Sequence, residues 1–298
     1  MWTTSAPTAY TDVALAPTWC SFKGVTCGGD PKRVDYRRVL SISLSGTGLV
    51  GYLTSLSKLT EMTKFDVTIN KISGSIPQSF FTLPKMLNLR LNNNQLTGSI
   101  PSITSVNPQL TSLSLNNNRL EGSIPESLRM KKGLETVFLR ENNIDGSIPK
   151  ALGQLASLQY LYINSNSLTG TIPSILRRLT NLNTLNFASN MLTGTIPVLD
   201  QSTLQNINLS DNYLTMGSLK VVSLSTFSAS ALVADIDLRS NCLVFRNPRK
   251  PSQDADATHC GGEQALQSSC CHCNNIMIVG LTSTRHYSLH AQHLHQPS

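Results

Sequence analysis

The side chains best suited to chemistry crowd the C-terminal end of this 298-residue chain. Cys270, Cys271 and Cys273 flank His272, then His286, His290, His293 and His295 follow, and every histidine lies at or beyond His259. Thiolate and imidazole at close spacing can bind zinc, but a closed site takes a C-x2-C pair twice over, which this run does not reproduce. The histidines hold an i, i+4 register only at His286 and His290. No metal site is expected here, and 261–298 reads as a disordered or non-native extension in which Cys271 or a neighbour could also pair between chains. Elsewhere, catalysis would need a nucleophile, base or metal held in a pocket. Residues 19–256 contain no histidine. No G-x-S-x-G elbow, H-E-x-x-H pair, phosphate-binding loop or kinase signature is present. Glu141 and Asp211 are carboxylates that could form an acid/base pair, yet the register sets them several repeats apart. A non-enzyme without cofactor or metal is expected.

What must position any site is a phrase that returns every 24 residues. It is clearest as LRLNNNQLTGSIP from Leu89. It recurs as FDVTINKISGSIP from Phe65, LSLNNNRLEGSIP from Leu113, VFLRENNIDGSIP from Val137, LYINSNSLTGTIP from Leu161 and LNFASNMLTGTIP from Leu185. Looser copies start at Ile42, Ile207 and Ile236, making nine units. Asn70, Asn94, Asn118, Asn142, Asn166 and Asn190 keep the 24-residue step, and Asn212 and Asn241 continue it at 22 and 29. A period of about 20 to 29 with this spacing is the leucine-rich-repeat template.

Each position has a physical reason. Alternation in Leu89-Arg90-Leu91 puts both leucines on one face of a short strand and Arg90 on the other. One unit cannot bury its own apolar face, so units stack, and each buried Leu, Ile or Val then contributes about 1.5–3 kcal/mol. The inward turn after the strand leaves backbone groups without sheet partners. An asparagine amide, with two donors and an acceptor, can serve its own turn and the adjoining coil. Gly98 and its equivalents suit a backbone conformation or close approach that a side chain would obstruct. The Pro after each Ile removes a donor and marks the exit towards the convex side.

The LxGxIP phrase in this register resembles the plant-type leucine-rich repeats of polygalacturonase-inhibiting proteins and receptor-like kinase ectodomains, over residues 19–260. The resemblance implies an α/β repeat solenoid: a right-handed superhelix with a concave parallel β-sheet and a mostly 3₁₀ or irregular convex side. It also implies recognition of a peptide, a glycan-degrading enzyme or a co-receptor. WCSFKGVTC, from Trp19, resembles the family's N-terminal cysteine cap, with Phe22 where that cap often has Trp. Cys242 and Cys260 stand as in its C-terminal cap. The resemblance thus implies disulfides Cys20–Cys27 and Cys242–Cys260, with free buried thiols as the alternative. The organisation expected is a segment and cap over 1–38, the solenoid over 39–241, the second cap over 242–260 and the tail over 261–298.

Paired cysteines imply an oxidising compartment, hence an extracellular or cell-surface location. The opening MWTTSAPTAYTDVALAP lacks a basic n-region and an apolar run of about 7 or more, so it does not read as a secretory signal. The few residues before Cys20, too few for the helix that usually opens such a cap, suggest an incomplete N-terminus. No window of about 18 apolar residues suggests a membrane span, although a parent receptor could have one. The chain is 14% charged against an average of about 25%. Its net charge of +7 permits an acidic partner. The clusters Lys32, Arg33, Arg37, Arg38 and Arg246, Arg249, Lys250 accompany no nucleic-acid-binding pattern and read as solvated surface, so no nucleic acid is expected.

The register places Arg90, Phe138, Arg140, Glu141, Tyr160, Tyr162 and Asn164 on the concave surface, among small polar residues such as Ser112, Ser114 and Asn116. Aromatic and Arg side chains carry most interface energy, so these seven are the candidate contacts for a protein, peptide or glycan ligand. Packing of Phe138 on Tyr162 for sheet stability alone is the competing explanation. Asn208-Leu209-Ser210 is a glycosylation sequon that equally fits the repeat consensus. Three functional classes stay open: a recognition module, an inhibitor of a cell-wall polysaccharide hydrolase, and a structural wall repeat.

Overall fold

At every inner bend the backbone leaves the strand through one residue in the left-handed region. In the computed structural model, which describes residues 20–29, 38–104, 109–199, 203–215, 235–241 and 277–279, Ile69, Asn93, Asn117, Glu141, Ser165, Ser189, Asp211 and Ser240 have φ between 53° and 57°. Each stands immediately before a ladder asparagine. Asn and Asp tolerate this conformation, whereas β-branched Ile69 is strained there.

The ladder asparagines hold the bends together. Asn118 Nδ2 donates to Leu115 O and Asn116 O in its own turn, at 3.0 and 3.1 Å, and to Leu91 O of the preceding coil at 3.1 Å. Its Oδ1 accepts from Leu96 N at 3.0 Å. Asn142 and Asn190 repeat the pattern. The irregular spacings do not break it: Asn212 bonds Phe187 O and Leu192 N, and Asn241 bonds Leu209 O and Leu214 N. The expectation that one amide serves two coils is met at each of these positions.

The principal sheet has eleven strands. Parallel neighbours pair one coil apart, so Phe65, Leu89, Leu113, Val137, Leu161, Leu185, Ile207 and Ile236 meet in one row. Its first strand, Val25–Gly28, is antiparallel to Arg38–Ser43 and carries the cap disulfide Cys20–Cys27, with Cα atoms 5.7 Å apart. At the other end Met277–Val279 runs antiparallel to Asp235–Asp237. Cys242, Cys260 and the Cys/His cluster lie outside the described residues.

A second, lateral sheet forms from the xLxGx part of each repeat. It comprises five strands and then three, joined by the single bridge Ser147↔Thr169. The glycines here are required by conformation: Gly122 has φ 69°, and a Cβ would also meet Ser99 Cβ at 3.4 Å. On the convex side the 3₁₀ turns Gln78–Phe81, Glu126–Met130, Lys150–Gln154 and Ser174–Arg178 each follow the repeat proline. That residue has φ between −64° and −70°, and its carbonyl accepts the first turn bond, as from Leu152 N to Pro149 O at 3.1 Å.

Between these sides runs one apolar core, with Leu113, Val137, Leu161 and Leu185 all at 0% exposure. Among the described residues it contains one cation. Lys131, 1% exposed, occupies the position that Leu155 and Leu179 take in the next two coils, and its Nζ donates to Phe81 O at 2.7 Å. Burial depresses its pKa to about 8.

Candidate ligand-binding face

The concave surface consists of the outward positions of the principal sheet and the short segment leading to each inner bend. Because pairing is parallel and in register, residues 24 apart become lateral neighbours: Thr136 faces Tyr160 and Phe138 faces Tyr162. The Phe138 and Tyr162 rings meet edge to face, centroids 5.1 Å apart at 85°. Such a cross-strand pair is worth about 0.2–1 kcal/mol. All three aromatic side chains, Tyr160 included, stay half-buried rather than sinking into the core.

Arg140 and Glu141 follow in the segment beyond Phe138. Arg140 Nε lies 3.8 Å from Glu141 Oε1, and Glu141 also accepts from Asn117 Nδ2. The backbone of Arg140 is fixed by Asn116 Oδ1, which accepts its N–H at 2.9 Å. Asn164 stands 24 residues after Arg140 and 24 before Ala188. Phe138, Arg140, Glu141, Tyr160, Tyr162 and Asn164 therefore form one contiguous group on two adjoining coils.

Arg90 does not join them. The strand Ser112–Ser114 separates it from Phe138. Arg90 instead leans towards Asp66, 3.9 Å away, which Lys64 approaches at 3.5 Å. Asp66 was missed in the sequence reading, although its 24-residue offset from Arg90 was a usable signal. Its carboxylate is 10% exposed and accepts from Thr68 N and Thr68 Oγ1.

At the far end Asp237 pairs with Arg239 at 2.6 Å. Burial alone would raise the Asp237 pKa, but side-chain and backbone hydrogen bonds from Arg239 outweigh it and hold the group below its usual value. Asn208 lies on the concave strand Asn206–Asn208, where its Oδ1 accepts from Ser210 N and Ser210 Oγ at 3.0 and 2.8 Å.

Among the described residues of this face, one buried side-chain polar atom has no counterpart. Asn164 Oδ1 is buried without a hydrogen-bond partner. In the equivalent position Asn92 accepts from Ser114 Oγ, and Asn116 accepts from Arg140 N. For Asn164 the corresponding hydroxyl is replaced by Asn186, and Ala188 N is already bonded to Asn186 Oδ1 at 3.1 Å. Among the described residues no group of three or more His, Cys, Asp or Glu is placed to hold a metal, and no helix is long and apolar enough to cross a membrane.

With this geometry in place, comparison with known proteins identifies the fold as that of leucine-rich repeats. A family model described as Leucine rich repeat matches residues 108–168. The LRR receptor-like serine/threonine-protein kinase GSO2 of Arabidopsis thaliana is 32% identical over 73 residues, or 24% of this chain and 5% of that protein. A plant peptide hormone receptor, RGFR1 in complex with RGF2, superposes with a TM-score of 0.60 at 34% identity, covering 66% of this chain and 31% of the receptor. A plant ice-binding protein superposes with a TM-score of 0.64 at 26% identity, covering 75% of this chain and 70% of its own. The chain thus spans a small fraction of the receptor kinase it resembles, and the likeness falls on leucine-rich repeats. Its structural neighbours include plant leucine-rich-repeat ectodomains.

Proposed function

We propose that this leucine-rich-repeat chain is a non-enzymatic recognition module, extracellular or at the cell surface, that binds a peptide or protein ligand on the concave face around Phe138, Tyr160 and Tyr162. The observation carrying this reading is the aromatic pair held half-buried on solvent-facing strands. The pair also stabilises the sheet, but the neighbouring Ser112–Ser114 and Thr184–Asn186 strands pair in the same register with no ring at those positions. The complexes formed by the similar receptor support a ligand of this class. Arg140 and Glu141 contribute at the edge of the contact, whereas Arg90 serves a separate charged cluster. In affinity capture from extracellular extract, wild-type protein should retain a saturable partner that Tyr162→Ala loses with little change in melting temperature. Equal loss of binding and stability would instead assign the ring pair to packing. Capture of a polysaccharide hydrolase, with inhibition of its activity, would select the inhibitor alternative.

A second reading, ice binding, rests on the lateral sheet and the likeness to a plant ice-binding protein. Ser147, Thr169, Thr171, Thr193, Thr195 and Thr215 are exposed there and pair across adjoining strands. Strands about 4.8 Å apart carry such hydroxyls in a regular, uncharged array. Thr193→Lys should then abolish inhibition of ice recrystallisation. A wild-type protein without such inhibition removes this reading.

A further inference from the structure

Four of the concave strands end in the same short contact, in which a side-chain oxygen accepts the backbone N–H two residues on. Asp66 accepts from Thr68 N, Asn186 from Ala188 N, Asn208 from Ser210 N and Asp237 from Arg239 N, all between 3.0 and 3.2 Å. Asp66 and Asp237 show that a carboxylate makes this turn as well as an amide does. Ala188 and Arg239 show that the turn needs no hydroxyl at its third residue. The fold therefore demands neither the amide of Asn208 nor the hydroxyl of Ser210, yet together they form the only N-x-[ST] triplet of the chain.

The amide nitrogen at this position is also left over. Oδ1 of Asn208 holds Ser210 N and Ser210 Oγ at 3.0 and 2.8 Å, whereas Nδ2 meets no acceptor among the described residues and is not buried. Asn212, four residues on, has its Nδ2 enclosed by three carbonyls, Phe187 O, Leu209 O and Ser210 O. Asn208 instead stands half-buried on the outward side of its strand, with Ile207 and Leu209 turned into the core on either side.

We propose that Asn208 carries an N-linked glycan, an inference that rests on the extracellular reading. The donor is a lipid-linked oligosaccharyl pyrophosphate. Asn208 Nδ2 bonds to C1 of the first sugar and loses a proton, while the C1–O bond breaks and the lipid pyrophosphate departs with its electron pair. Nothing is oxidised or reduced. The new bond is made at Nδ2 and leaves Oδ1 both of its partners, so the turn closes on the modified chain as it does on the bare one. Tyr162 pairs laterally with Asn186 and Asn186 with Asn208, which sets the sugar two strand spacings, about 10 Å, from the ring pair. The glycan thus borders the ligand-binding face on its C-terminal side.

The test is expression of the full chain in plant cells behind a cleavable secretion leader, as wild type, Asn208→Gln, Asn208→Asp and Ser210→Ala. Mass spectrometry then reads the peptide spanning Asn208 before and after an N-glycan-releasing amidase in heavy-oxygen water. Wild type should carry a hexose and N-acetylhexosamine mass that the amidase removes, leaving heavy oxygen at that one residue. Asn208→Gln and Ser210→Ala should lack it. Asn208→Asp keeps the turn acceptor and should be secreted and fold without sugar, which separates loss of the glycan from loss of the fold. Wild type secreted with Cys20 and Cys27 joined yet bare at Asn208 would overturn the inference and leave the extracellular reading standing. Sugar retained by Asn208→Gln would place it elsewhere in the chain and overturn the inference equally. A chain held inside the cell with Cys20 and Cys27 as free thiols would bring down the extracellular reading and the inference with it.

Discussion

The inner bend and the concave centre are built from the same residue type and treat it oppositely. At the bend, the amides of Asn118 and Asn142 are saturated, each donating to its own turn and the preceding coil and accepting from a backbone N–H. On the concave centre, Asn164 keeps an acceptor without a donor and two rings stay half in water. Where the fold is decided, the ladder amides are satisfied within the chain. Where contact with another molecule is expected, satisfaction is left incomplete.

The harshest test of this contrast is Asn142→Leu, which strands Leu120 N and removes one of the two amide donors that Leu115 O and Leu139 O each accept from. At about 1–3 kcal/mol for the stranded N–H and about 0.5–1.5 kcal/mol for each of the two lost bonds, the loss should be about 3 kcal/mol in denaturant unfolding. A loss below about 1 kcal/mol would show that the bends do not depend on the ladder.

Lys131 is the core's own departure from saturation by apolar groups, and Lys131→Met should raise stability by about 2 kcal/mol at neutral pH. Its folded pKa, about 8, lies below the unfolded value, so below pH 8 both states hold the proton and the folded state bears the full burial cost. As pH rises from 8 towards about 10.4, the folded state loses its proton first and stability increases. The Met variant should lack this rise; an unchanged pH profile would place the ammonium in water.

Ile69→Asn should add about 1 kcal/mol by relieving a left-handed β-branched residue that is 60% exposed. A destabilised variant would mean that Ile69 packs usefully where it stands. The smallest effect is expected on the concave side: Tyr162→Ala should lower stability by less than about 1 kcal/mol, the usual worth of a cross-strand pair. A larger loss in thermal unfolding would erase the distinction between bend and face.

Much of the architecture was legible because a 24-residue period carries both the core row and the bend amides. The facing of Phe138 and Tyr162 follows from that period once pairing is parallel. Cys20–Cys27 was legible through resemblance of the cap. Less legible was the left-handed residue before each ladder asparagine, since Ile, Asn, Glu, Ser and Asp all occupy it and no type marks it. Lys131 drew no notice in the sequence, although its 24-residue offset from Leu155 pointed inward. Arg90 was grouped with the aromatics because register assigns a face, not a distance along it.

Period, strand direction and the demand for a polar amide at each bend are properties of residue order, because they depend on what repeats and at what interval. Which hydrogen bonds close and which stay open is not. That Asn164 is left over depends on Asn186 reaching Ala188 N first, a competition among three residues on two coils that exists only once the coils are stacked. The same stacking put Asp66 between Lys64 and Arg90 and carried Lys131 into the core, for electrostatic and hydrogen-bond partners are chosen by distance in space rather than by position in the repeat.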